Sequence, residues 1–359
     1  MTGPMNATRP STDPTVLSNL DRAIARGVAW LDGSQRADGE FDVYASLAPD
    51  LAHGCNLDPS IFPTAVMAQA LGHVPEANGL RGRALDFLVS ERDRFGLWRH
   101  WARRNPLSAS LPPDLDDTAC ASDALGRGGY DPGTNREILL GNRDRHGRFR
   151  TWLVPGTGWT GHDRLTLTAS QLRHIPVYVK FFQSTSASLD DVDAVVNANV
   201  IHYLGEGDHV RPVVAWLKTI IEEGREAQCD RWYDTPCVVR YFISRALRKL
   251  APDARPLMTA RLAETALSGG ESAFETALTA CSLLDWDLLP HDLIHTLLAD
   301  QGEDGTWQRQ ALYHGGRARR PGGGFANPVP DTPHWGSDGL TTAFCLEAIA
   351  RYRAISGAT

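Results

Sequence analysis

Apolar positions recur along this chain at helical spacing, and the segments that carry them are of two kinds. One kind is amphipathic, with charged residues flanking an apolar stripe: roughly 17–33, 80–92, 135–142, 210–224, 256–267 and 290–299. The other kind is poor in charge throughout, the pattern of a helix buried on every side. These charge-poor segments also share a register. A Thr-Ala pair followed seven residues later by Leu or Ile gives Thr64-Ala65 to Leu71, Thr118-Ala119 to Leu125, Thr276-Ala277 to Leu283 and Thr342-Ala343 to Ile349. Asn197-Ala198 to Leu204 fits with Asn in place of Thr, and Thr235, opening 237–247, fits more loosely. Strand patterns are almost absent.

The order amphipathic-then-buried, repeated six times, predicts an all-α fold, an (α/α)6 barrel (alpha-alpha toroid) of six helix pairs. Buried helices line its inside and amphipathic ones its outside. Regular alternation favours one closed domain over residues 15–355 rather than two domains. Residues 1–14, rich in Thr, Pro, Ser and Asn and without an apolar core, read as a flexible tail and not a signal peptide. Connections from buried to amphipathic segments are short. Those in the other direction are long, notably 146–189 and 300–337, which places the long loops, and hence the mouth of a cavity, over the N-terminal ends of the inner helices.

A second repeat sits in those long connections. Gln35-Arg36-Ala37-Asp38-Gly39-Glu40-Phe41 and Gln301-Gly302-Glu303-Asp304-Gly305-Thr306-Trp307 share Gln-x-x-Asp-Gly-x-aromatic, with weaker echoes at Phe95-Gly96-Leu97-Trp98 and His146-Gly147-Arg148-Phe149. Gly permits a tight turn after a helix and the aromatic stacks back on its neighbours, so the element reads as structural.

Composition narrows the class. A formal net charge of −7 argues against a nucleic-acid surface, and no apolar run is long enough for a membrane span. Six scattered cysteines without a CxxC pair suit reduced thiols in a cytoplasmic protein.

The most telling stretch is Asp114-Leu115-Asp116-Asp117-Thr118-Ala119, three carboxylates where a helix begins. Capping accounts for some acid at a helix start, but not for three. The internal alignment separates them. Asp114 has counterparts in Asp193 and Asp338, which points to a helix cap. Asp117 aligns with Pro63 and Glu275. Asp116 occupies the slot filled by Phe62, Val195, Phe274 and Leu340 in the sister helices. A carboxyl in an apolar slot is costly when ionised, so it is expected to stay protonated or to serve a purpose.

Helix pairs joined by these turns, together with the Asp-x-Asp-Asp-Thr-Ala stretch, resemble the class II terpene cyclases and squalene–hopene cyclases. The resemblance covers nearly the whole chain. It implies that Asp116 protonates an alkene or epoxide to start a cationic cyclisation, with Asp114 and Asp117 as supporting carboxylates. Family members usually carry two or three helical domains with the cavity between two barrels. This chain has room for one, so a homodimer or a partner subunit is the expected source of a second.

A proton-initiated terpene cyclase, acting as an intramolecular lyase or isomerase, is therefore expected. Its substrate is a linear isoprenoid, a prenyl diphosphate rather than squalene because no apolar membrane-docking segment stands out. Phe62, Trp232, Tyr233, Phe274 and Trp335 are candidate aromatic faces for the cation. Arg99, Arg103, Arg104, Arg317, Arg319 and Arg320 are candidate diphosphate contacts. His53, His174 and His334 are candidates to tune the acid or take the final proton. Asp190, Asp193 and Asn197 form a second acidic cluster that suits Mg2+ and a diphosphate, or simply caps the next helix. Two other readings keep the barrel: a sugar-processing enzyme pairing Asp116 with Asp234 or Glu275, and a non-catalytic isoprenoid-binding or partner protein. A zinc-dependent prenyltransferase lacks a convincing ligand set.

Overall fold

The charge-poor segments become the inner layer of a predominantly helical fold. The structure, a computed structural model, describes residues 14–155, 163–266, 272–320, 324–328 and 331–357. In chain order its helices and strands are α1 (Pro14–Ser34), β1 (Tyr44–Ser46), β2 (Asn56–Leu57), α2 (Ile61–Ala70), α3 (Asn78–Glu91), α4 (Leu115–Arg127) and α5 (Arg136–Gly141). Next come α6 (Asp163–Leu172), α7 (Ile175–Ser184), α8 (Ala194–Leu204), α9 (Val210–Glu222), α10 (Pro236–Leu250) and α11 (Arg255–Ala266). The chain ends with α12 (Ala273–Asp285), α13 (His291–Asp300), β3 (Ala311–His314), β4 (His334–Gly336) and α14 (Asp338–Gly357). Pro14 opens α1, and the rest of the expected tail lies outside the described residues.

Helix α2 packs on α4, α4 on α8, α8 on α10, α10 on α12, α12 on α14, and α14 back on α2. Six helices thus touch in a closed cycle, and they are the six charge-poor segments. Every residue of α2 is buried. The amphipathic helices lie against this cycle: α3 on α2 and α4, α9 on α8 and α10, α13 on α12 and α14, α1 on α14, and α11 on α12. Each turns its apolar stripe to the inner layer, as Val213, Leu217 and Ile220 do on α9.

The two sequence repeats prove to be halves of one device. The Thr or Asn of the inner-helix register accepts the backbone N–H of the aromatic residue that ends the preceding turn. Thr64 Oγ1 takes Phe41 (3.1 Å), Thr118 Oγ1 takes Trp98 (3.2 Å), Asn197 Oδ1 takes Phe149 (2.8 Å) and Thr342 Oγ1 takes Trp307 (3.4 Å). The indoles of Trp98 and Trp307 then donate to the carbonyls of Leu88 and Leu297 on the adjoining outer helices. Gln35 and Gln301 each donate to the Gly of their own turn and to a neighbouring outer helix, at Leu80 and Ala23. Gly39 and Gly305 have φ of 92° and 95°, and a Cβ on either would collide with the carbonyl of Arg83 or Arg26. Each turn locks one outer helix to one inner helix.

Two elements depart from the sequence expectation. The stretch 146–189 contains a pair of short helices, α6 and α7. Helix α7 lies within a stretch expected as a long connection: Tyr178, Phe181 and Phe182 form its packed face, Ile175, Val177 and Val179 are exposed, and Pro176 in its first turn is a start signal. The long connections at the two ends of the chain also pair, in a small antiparallel sheet of order β2-β1-β4-β3 that joins 44–57 to 311–336.

Candidate active site

Helix α4 begins with Asp114, whose extended backbone and side chain cap it: Oδ1 accepts the N–H of Asp117 at 2.8 Å. Asp114 also continues into the wall around it, because its own N–H bonds Trp98 O and the next residue, Leu115, bonds Thr151 O. The cap sets the first turn, and the turn places Asp116 toward α8 and the segment that precedes α10.

Two neutral donors meet Asp116 there. Asn199 Nδ2, on α8, donates to Oδ1 at 2.8 Å, and Tyr233 OH donates to Oδ2 at 2.6 Å. Burial pushes the Asp116 carboxyl up to about 7. The Tyr233 and Asn199 hydrogen bonds pull it down, and the charges of Asp114 and Asp193 push it up further. Burial outweighs the two donors, so the group is an acid that still holds a proton near neutrality. Asp117 lies well above the ordinary carboxyl range through burial and then the charge of Asp114, while Asp114 is raised by burial and partly offset by its bonds to Asp117. Asp114 and Asp117 thus sit beside the acid as buried neighbours, and the charge of Asp114 raises both Asp116 and Asp117.

Aromatic rings run from this acid to the long-loop end. Phe62 lies 6.2 Å from Tyr233 and 5.5 Å edge-on to Tyr313, and Tyr313 stacks on Trp335 at 5.3 Å. His100 meets both Tyr313 and Trp335 edge-on. In the other direction Tyr233 contacts Phe242, followed by Tyr241, Phe344 and Phe274. Asp58 accepts the indole N–H of both Trp101 (2.9 Å) and Trp335 (2.6 Å), which fixes the outermost rings.

At the opposite ends of the inner helices, charged side chains replace aromatics. Gln69 and Arg127 bond Asp123, Tyr241 bonds Glu347, and Arg351 bonds both Glu347 and Asp285. Arg245 reaches from α10 to Gln69 on α2 and Asn199 on α8, so it ties three inner helices together.

The sequence candidates divide accordingly. Asp114, Asp116, Asp117, Phe62, Tyr233 and Trp335 come together. Trp232 does not join them: its ring packs on Trp152, beside Ala187 and the rings of Phe181 and Phe182. Phe274 is fully buried against Phe344, remote from the acid along the aromatic chain. Arg319 lines a cleft with Arg145, Arg148, Arg150 and Arg225 and sits over Phe325, while Arg320 is exposed and bonds Gly324 through its backbone. Arg317 is buried and spent on the carbonyls of Ala227, Asp230 and Tyr233. Arg99 holds Gln171 and Tyr178.

The second acidic cluster does not form a cage. Asp190 is exposed, with Arg150 as its neighbour. Asp193 accepts the N–H of Arg231 and the hydroxyl of Thr151, and Asn197 is taken by the backbone of Phe149 and Asp193. Three oxygens on separate errands do not make the shared shell Mg2+ needs. Among the described residues no group of three His, Cys, Asp or Glu side chains could hold a metal. Asp193 and Asp338 also differ from Asp114: neither caps its helix, Asp338 being held to Arg309 while Ser337 caps α14.

Sequence reasoning missed Asn199, Tyr313, Phe242, Arg245 and Asp58. Asn199 alone carried a signal, as a second Asn two residues after the register Asn197 in an otherwise apolar helix.

No family model matches the sequence, and no curated protein sequence does. Solved structures do. The type II terpene cyclase MstE from Scytonema, as a variant in complex with geranylgeranyl dihydroxybenzoate, matches with a TM-score of 0.67 at 14% identity, over 95% of this chain and 99% of that one. Another variant of that enzyme, in complex with its product merosterolic acid A, matches equally. A protein from Actinoplanes matches with a TM-score of 0.61 at 20% identity, over 93% of this chain and 99% of that one. The chain therefore has the fold of a type II terpene cyclase.

Proposed function

We propose that the protein is a type II terpene cyclase in which Asp116 protonates a linear isoprenoid, and that the cycle of six inner helices is the inner wall of an (α/α)6 barrel. The observation that carries the reading is Asp116 itself: a buried carboxyl raised to about 7, held by two neutral donors and facing a row of aromatic rings.

The Asp116 O–H bond breaks as a C–H bond forms at the terminal alkene. The carboxylate left behind is held by Tyr233 and Asn199, whose hydrogen bonds strengthen as charge develops. The cation faces Tyr233, Phe62, Tyr313 and Trp335, which attract it without offering a nucleophile. Attack by successive double bonds closes rings, and loss of a proton to a base ends the sequence, so the net change is an isomerisation. No step calls for a cofactor. The structural neighbours span almost their full length on this chain, so a second barrel is not needed for this fold.

For the substrate we keep a prenyl chain with an anionic head group. A diphosphate fits the original expectation, and the aryl carboxylate of the MstE substrate is the other anionic head group to try. Mg2+ would assist a diphosphate from solution, since Asp190, Asp193 and Asn197 are committed elsewhere. Nothing favours the sugar-processing reading: the hydrogen-bond partners of Asp116 are Asn199 and Tyr233, while Asp234 lies by His314 and Glu275 accepts from Gln310.

The test is incubation with farnesyl and geranylgeranyl diphosphate and with geranylgeranyl dihydroxybenzoate, with Mg2+ and with EDTA. Cyclic products that keep the head group and vanish in Asp116→Asn are expected. Cyclisation undiminished in that variant would remove Asp116 from the mechanism.

A further inference from the structure

Asn199 is oriented from behind. Its Oδ1 lies 3.0 Å from Arg245 Nη2, and a guanidinium has donors and no acceptor. The atom of Asn199 that faces Arg245 must therefore be the oxygen, and the amide NH2 must face Asp116. An amide NH2 only donates. Arg245 is itself held, by Gln69 Oε1 at 3.1 Å and by the faces of Tyr241 and Phe242, each 4.9 Å from its guanidinium carbon.

From this we infer that Arg245 is a positioning residue that forces the Asn199 amide to donate to Oδ1 of Asp116, and so confines the transferable proton to Oδ2, beside the Tyr233 hydroxyl. A hydroxyl oxygen is a poorer acceptor than a carbonyl oxygen, so a proton on Oδ1 would weaken the Asn199 contact, while Tyr233 can turn its hydroxyl to accept from a proton on Oδ2. The acid then presents its proton from one side, next to the Phe62 and Tyr313 rings that flank Tyr233. The inference rests on the reading of Asp116 as the acid.

The titratable groups around Asp116 are Asp114, Asp117 and Cys120 on α4, Asp193 at the start of α8, Asp230 and Tyr233 ahead of α10, and Tyr313 on β3. The charge of Arg245 also pulls Cys120 down, so Arg245→Met removes a charge together with the orienting contact, whereas Asn199→Ala removes no charge and reads the hydrogen bond alone.

The experiment follows the protonated Asp116 carbonyl stretch by infrared difference spectroscopy between pH 5 and 9, using Asp116→Asn to assign the band, and runs cyclisation kinetics in parallel. In Arg245→Met the amide is free to turn and accept from the protonated acid. The midpoint should rise by about one pH unit and kcat should fall about tenfold with KM little changed. Asn199→Ala, which leaves the Arg245–Gln69 contact intact, should raise the midpoint in the same direction, so the test survives if Arg245→Met folds poorly. Arg245→Lys keeps a donor toward Asn199 and should lie near wild type. An unmoved midpoint in both Arg245→Met and Asn199→Ala overturns the inference whether or not the protein cyclises anything. A shifted midpoint in a protein that turns over no isoprenoid leaves the positioning intact and removes the proposed reaction instead.

Discussion

Helices α4 and α12 start alike and diverge two residues later. Asp114 and Ser272 each cap their helix by accepting the N–H three residues on, at Asp117 and Glu275. The next inward position is Asp116 on α4 and Phe274 on α12. Phe274 is 0% exposed and packs edge-on against Phe344, the ordinary use of an inner-wall slot. Asp116 meets Asn199 and Tyr233 instead. The frame is the same and the environment is different: one slot is closed by hydrophobic contact, the other is kept polar by two donors supplied from other elements. A carboxyl placed in the first kind of slot would be a defect. In the second kind it is an acid with a raised pKa.

The sharpest way to break the comparison is Asp116→Asn, which keeps the shape of the slot and removes the proton. Cyclisation should fall by about 10³-fold or more, in product formation under saturating substrate, with the helical signal unchanged. Removing Phe274 should do the converse. Phe274→Ala should cost about 3–5 kcal/mol in urea unfolding while the remaining folded enzyme keeps its acid. If Phe274→Ala abolished turnover in fully folded protein, the two slots would not be the separate cases described above.

Dependence on pH sharpens the contrast from a third side. The Asp116 carboxyl is raised from the usual 3.8 to about 7, so the acid is loaded below pH 7 and the rate should fall about tenfold per pH unit above it. The stability sign follows from the same shift. A folded-state pKa above the unfolded one means this group favours folding most at low pH and loses that contribution as pH rises from about 4 to about 7. Unfolding measured at pH 4.5 and pH 8 should therefore show wild type losing more stability than Asp116→Asn, by an amount on the order of 4 kcal/mol at most. Asp114, Asp117 and Asp230 are raised as well, but they are present in both proteins.

The smallest effect expected is on the shared frame. Thr342→Ala leaves the N–H of Trp307 without its acceptor and should cost about 1–3 kcal/mol in urea unfolding, with activity per folded molecule preserved. The equivalent change at Thr118 serves the same bond to Trp98 but lies two residues from the acid. A loss of activity at Thr118 larger than its loss of stability, against none at Thr342, would show that the frame at α4 also sets the position of Asp116.

Much of this fold was open to reading in the chain. The inner helices were visible because a helix buried on all sides carries little charge and a shared Thr-Ala register, and the outer ones because a single apolar stripe leaves a 3.6-residue period. The Gln-x-x-Asp-Gly-x-aromatic turns were visible because Gly39 and Gly305 occupy a backbone region that other residues avoid. Helix α7 was not read as a helix: Tyr178, Phe181 and Phe182 share its packed face, but the exposed Ile175, Val177 and Val179 blur that stripe in the chain. Of the acidic run, the exceptional status of Asp116 could be read from the repeat, since its sisters are Phe62, Val195, Phe274 and Leu340. The role of Asp193 could not, because a residue at a cap position can spend its carboxylate on a distant partner, here Arg231 and Thr151.

The division has a physical cause. Period, charge exclusion and turn chemistry are local, carried by residues within a few positions of one another. From them the chain by itself established a predominantly helical fold with an inner and an outer layer, and marked one acid out of place. The environment of that acid is not local. Asn199 and Tyr233 stand 83 and 117 residues from Asp116, and Arg245 orients Asn199 from a third helix. Whether a buried carboxyl is a liability or a proton donor depends on the dielectric and the donors around it, and only the tertiary packing of α4, α8 and α10 supplied them.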